Sequence, residues 1–64
     1  MKADDVVALL KRRCHEIGLR EWSRQHGIAP QYIWQVIHGD RPISDTVAGA
    51  LGLMPDGMRW RVKE

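Results

Sequence analysis

The stretch Leu19 to Ser44 reads Leu-Arg-Glu-Trp-Ser-Arg-Gln-His-Gly-Ile-Ala-Pro-Gln-Tyr-Ile-Trp-Gln-Val-Ile-His-Gly-Asp-Arg-Pro-Ile-Ser, and its punctuation decides the fold. Leu19, Trp22, Ser23 and His26 recur at helical spacing and predict a short helix that Gly27 stops. Pro30 suits the first position of a new helix, where a missing N–H costs nothing, and that helix runs to His38 before Gly39. Ala29 is then the N-cap, a poor choice beside serine. Two helices joined by so short a turn must cross steeply, and the second stands out from the body like a probe.

The flanks are helical as well. Upstream, Val6, Val7, Leu10, Cys14 and Ile17 form an apolar stripe, with Lys11, Arg12 and Glu16 opposite. Asp4 and Asp5 favour the helix start through capping and the dipole, and Gly18 marks the end. Downstream, Gly39-Asp40-Arg41-Pro42 is a loop, and Ser44 caps a fourth helix from Asp45 to Leu51, with Val47, Ala50 and Leu51 facing inward. Gly52 ends that helix, and Pro55-Asp56-Gly57 signals a turn. The period then changes: Met58, Trp60 and Val62 alternate with Arg59, Arg61 and Lys63, which predicts one half-buried strand over residues 58–63.

Sixty-four residues make one domain, and so short a chain buries only about 60% of its unfolded surface. Cys14 is the single cysteine, so no internal disulfide can form and a reducing cytosol is the natural home. The charged opening Met1-Lys-Ala-Asp-Asp leads into an amphipathic helix rather than an apolar signal region. No apolar run approaches the ~20 residues of a membrane span. The net charge of +2 discriminates weakly between partners, so the placement of charge matters more than its sum.

The helix after Pro30 carries the chemistry. At about 100° per residue, Ile33, Val36 and Ile37 point one way and Gln31, Gln35 and His38 the other, with Tyr32 and Trp34 on the flanks. Gln31 and Gln35 sit one turn apart and project side by side. A glutamine amide can pair with N6 and N7 of adenine in the major groove of DNA. The plain alternative is that both are solvated surface residues.

Residues 19–44 resemble the helix-turn-helix of the phage Cro and repressor family, the broad group of XRE-like regulators. The resemblance rests on Ser23 inside the first motif helix, Gly27 and Ile28 at the turn, Ile33 and Val36 on the second helix, Gly39 with Arg41 nearby, and Ala-Leu-Gly-Leu over residues 50–53. It implies a mainly α fold: a repressor-like DNA-binding domain of four to five helices over residues 1–64, with the motif at 19–38 and a short C-terminal strand. It also implies a transcriptional regulator, by default a repressor, bound to a palindromic double-stranded operator as a homodimer in the host cytoplasm, at the nucleoid. By position, Gln31, Tyr32 and Gln35 would face bases, with Trp34 and His38 at the margin. Arg20, Arg24 and Arg41 would contact phosphates. The chain departs from the pattern at Ser23, where alanine is usual, and at Ala29, where serine or threonine is usual.

Other readings are weaker. Trp22 falls on the inward stripe and is expected in the core, whereas Trp34 either packs on a sugar-phosphate backbone or thymine methyl or closes the edge of the core. Cys14, His15, His26 and His38 lack zinc-ligand spacing, so no metal or cofactor is expected. No nucleophile, histidine and acid stand in a catalytic pattern, and neither an enzyme nor a small-molecule substrate is expected. The strand either folds back, burying Trp60, or pairs with a second copy through Met58, Trp60 and Val62. Its Arg59, Arg61 and Lys63 could approach phosphates or simply keep the edge soluble. The competing function is a protein-interaction or antitoxin-like module on the same fold, with Tyr32 and Trp34 as anchors.

Overall fold

A computed structural model describes residues 1–62. The elements are α1 (Ala3–Ile17), α2 (Leu19–His26), α3 (Pro30–Ile37), α4 (Asp45–Ala50), β1 (Leu53–Asp56) and β2 (Arg59–Val62), the last two forming an antiparallel sheet. The class is mainly helical, as expected, but the C-terminal β-structure has two strands rather than one.

Acidic residues start α1: Asp4 and Asp5 lie in its first turn, and the Lys2 N–H donates to the Asp5 carboxylate at 3.1 Å, one half of a capping box. Val6, Leu10 and Cys14 are buried along one face. Ile17, expected on the same stripe, borders an open recess with Trp22, Ala50 and Leu51 and stays exposed. Gly18 serves both helices, donating its N–H to the Cys14 carbonyl at 2.7 Å and accepting from the Trp22 N–H at 3.0 Å. Thus α2 follows α1 without a linker.

The two motif helices end in the same way. The Gly27 N–H donates to the Arg24 carbonyl and the Ile28 N–H to the Ser23 carbonyl, at 3.3 and 3.0 Å. At the end of α3 the Gly39 and Asp40 N–H groups donate to the Val36 and Gln35 carbonyls, at 3.2 and 2.8 Å. Both are Schellman closures, which need a left-handed residue; Gly27 and Gly39 supply it with φ of 66° and 80°. A methyl group at Gly27 would meet nothing within 4 Å, so backbone conformation rather than space demands glycine there. Ser44 caps α4 as expected, its Oγ accepting the Val47 N–H at 3.2 Å.

The main core gathers Leu10, Cys14, Trp22, Ile33, Val36 and Val47 from all four helices. Burial pushes the Cys14 thiol pKa up, the environment of a packing residue rather than a reactive one. A second cluster joins Val6, Ala48 and Leu53, with Trp60 packed against it. Ala48, rather than Ala50, is the fully buried alanine of α4.

The hairpin corrects the expectation at the C-terminal end. Pro55 and Asp56 belong to β1, and the turn is Gly57-Met58. Pro55 is tolerated because it faces Trp60, one pair back from the turn, where strand N–H groups point away from the partner and a missing one breaks no ladder bond. The Trp60 N–H likewise points outward and donates to the Met1 carbonyl at 2.8 Å, while the Met1 amino group donates to the Trp60 carbonyl. Met58, expected on an apolar strand face with Trp60 and Val62, is instead 97% exposed at the turn. Val62 is 66% exposed near the end of β2. Lys63 lies outside the described residues.

Candidate nucleic-acid interface

The site is built on α3. Ile33 and Val36 are fully or nearly fully buried, and Ile37 packs against the core from the same side. Burying each of the first two contributes roughly 2 kcal/mol, enough to hold a short helix that could not persist alone in water. With that side anchored, helical geometry leaves Gln31, Trp34, Gln35 and His38 on the outer side. Gln31, Trp34 and His38 are exposed and Gln35 half-buried. The sequence expectation of an apolar inner face and a hydrogen-bonding outer face matches these burials.

The outer face has two halves. On one flank the Trp34 and His38 rings stack, with centroids 3.9 Å apart and planes 20° from parallel. The His38 Nδ1 lies 2.8 Å from the Trp34 carbonyl. A carbonyl can only accept, so the proton sits on Nδ1 and the ring is fixed against the tryptophan. Trp34 remains 49% exposed in this stack, which places it on the surface rather than at the edge of the core.

On the other flank stand Gln35, Tyr32 and Arg41. The Arg41 Nε donates to the Gln35 Oε1 at 2.8 Å, and the guanidinium carbon lies 5.8 Å from the centre of the Tyr32 ring. Tyr32 packs on the core and its hydroxyl donates to the Pro42 carbonyl at 3.3 Å. Tyr32, expected to face a base, is half-buried, and its ring links α3 to the loop that carries Arg41. An open recess lined by Ala29, Gln31, Tyr32, Gln35 and Arg41 lies on this side. A wider recess bordered by Arg13, Ile17, Trp22, His26 and Leu51 shares none of these residues.

The three candidate phosphate contacts differ. Arg20, near the start of α2, is exposed. Arg24 is held by Glu21, its Nε and Nη2 donating to the two carboxylate oxygens at 2.8 and 2.6 Å. That pairing holds the Glu21 carboxyl below the usual carboxylate range. Arg24 is therefore committed locally, although an exposed pair of this kind contributes little and a phosphate could displace it. Arg41 contacts an amide and an aromatic ring, and the only ion pair among the described residues is Arg24 with Glu21.

Of the residues expected to join a second copy, Trp60 packs on its own domain, while Met58 and Val62 stay exposed. The union of Gln35 with Arg41 was not foreseen. Its one sequence signal is Gly39, whose left-handed turn reverses the chain so that Arg41, two positions on, can return to α3. Among the described residues, no three His, Cys, Asp or Glu side chains are grouped to hold a metal ion, and no helix is long and apolar enough to cross a membrane. Comparison with protein-family models, curated proteins and solved structures returns no match.

Proposed function

We propose that this chain is a sequence-specific DNA-binding regulator of transcription that inserts α3 into the major groove of an operator. The observation that carries the reading is the division of α3: Ile33 and Val36 lock it to the body, while Gln31, Trp34, Gln35 and His38 share its outer face. An anchored helix with neutral hydrogen-bonding side chains on its outer face suits base edges, whereas a purely electrostatic binder would present lysine and arginine there. Arg20 supplies charge for the phosphates, and Arg24 can do so by exchanging Glu21 for a phosphate. Bound at a promoter, the protein competes with polymerase, so repression is the default outcome, in the cytoplasm of a bacterial host.

One copy carries a single α3, so a palindromic operator with half-sites ~34 Å apart would take two copies. Met58 and Val62 are the exposed apolar side chains of the hairpin available to a second copy.

Replacing Gln31 with alanine should weaken binding to the cognate operator by ~1–3 kcal/mol and leave binding to unrelated duplex nearly unchanged, as measured by fluorescence anisotropy. Equal losses on both DNAs would remove the base-reading role. The exposed Trp34 stack favours the second reading, a protein-docking module, because a large accessible aromatic is a common interface anchor. Salt separates the two: a regulator loses duplex affinity steeply as salt rises, and a docking module binds no duplex even at low salt.

A further inference from the structure

Resting on the DNA-reading role just proposed, we infer that Arg41 reads a guanine base through its Nη edge, with Gln35 and Tyr32 as its positioning residues. Position alone had suggested a phosphate contact, which needs charge nearby but little orientation. Arg41 is oriented three ways. Its Nε donates to Gln35 Oε1, its guanidinium carbon lies 5.8 Å from the centre of the Tyr32 ring, and the loop behind it is tied by the Tyr32 hydroxyl to Pro42. The Asp40 N–H, on the residue before it, is closed onto the Gln35 carbonyl at 2.8 Å. Holding a long flexible side chain in this way sacrifices rotamer freedom. The return is a pre-set fork of the two Nη groups, the shape that matches guanine O6 and N7.

The same contact changes what Gln35 can do. Pairing with adenine needs the amide oxygen to accept from N6 while the amide nitrogen donates to N7. Gln35 Oε1 gives one of its two lone pairs to the Arg41 Nε–H, and that bond fixes the amide's orientation toward the arginine. Recognition at this turn of α3 passes from the amide to the guanidinium. A base rather than a phosphate is indicated by location: Arg41 joins Gln31 and Gln35 around one open recess on the outward side of α3.

The test is selection from a random duplex pool with the wild-type chain, Arg41→Lys, Gln35→Leu and the double variant, each first checked for an unchanged melting temperature. The wild type should select one strong guanine per half-site. Arg41→Lys keeps the charge but not the fork and should weaken that guanine preference roughly 5- to 100-fold while sparing the other positions. Gln35→Leu should weaken the same position, and the double variant should be no worse than Arg41→Lys. An unchanged guanine preference with uniformly lower affinity would return Arg41 to the phosphates. Loss at a different position in Gln35→Leu would make Gln35 an independent reader and overturn the coupling. If the wild type enriches no duplex at low salt, the regulator reading fails, and this inference fails with it.

Discussion

Ser23 lies on the inward face of α2, fully buried, and its Oγ finds no hydrogen-bond partner among the described protein atoms. A buried hydroxyl without a partner costs about 1–3 kcal/mol in lost hydration, and serine is also a weaker helix former than alanine. Ser23→Ala should therefore raise stability by about 1 kcal/mol, read as a higher urea midpoint with an unchanged slope. A fall would mean that the hydroxyl makes a bond after all. The residue was identifiable from sequence as small and inward-facing; its lack of a partner was not, because that depends on what every neighbouring element brings to the spot. Tyr32 shows the same limit. Periodicity put it on a flank of α3, and only the return of the chain through Pro42 made it a brace.

At the scale of elements, α3 is well closed at one end and poorly at the other. Gly39 completes a Schellman motif, while Ala29 has N-cap geometry, φ −63° and ψ 132°, with no side-chain acceptor. Ala29→Ser should supply that acceptor and stabilise the domain by about 1 kcal/mol in thermal unfolding. No gain would indicate that the serine hydroxyl turns outward into the recess beside Gln31 instead of capping. The helix boundaries were legible because Pro30, Gly27 and Gly39 act locally, within one turn. The hairpin was half legible. The alternation after Met58 marked a strand, but Pro55 was read as turn chemistry, since proline carries a strand only where its missing N–H faces away from a partner, and the partner was not visible.

For the whole molecule the hairpin matters as a lid on the second hydrophobic cluster. Trp60 packs over Val6, Ala48 and Leu53, from α1, α4 and β1. Trp60→Ala should cost about 2 kcal/mol, less than for a fully buried tryptophan, and the loss should not depend on protein concentration. A loss that disappears on dilution would show Trp60 working between subunits. Met58→Ser should leave monomer stability within about 0.5 kcal/mol, because an exposed turn side chain has no packing to lose.

The chain alone determined what nearest neighbours along it can determine. It settled where the motif helices start and stop, which face of α3 is apolar, and that the ends of α1 and α4 are capped, because each depends on backbone conformation or on side chains within one turn. Tertiary structure decided what depends on distant partners: that Trp60 folds inward and that Arg41 is braced against Gln35 and Tyr32. Arg41, a plain loop cation in the sequence, becomes an oriented fork only once the turn at Gly39 brings it back onto α3.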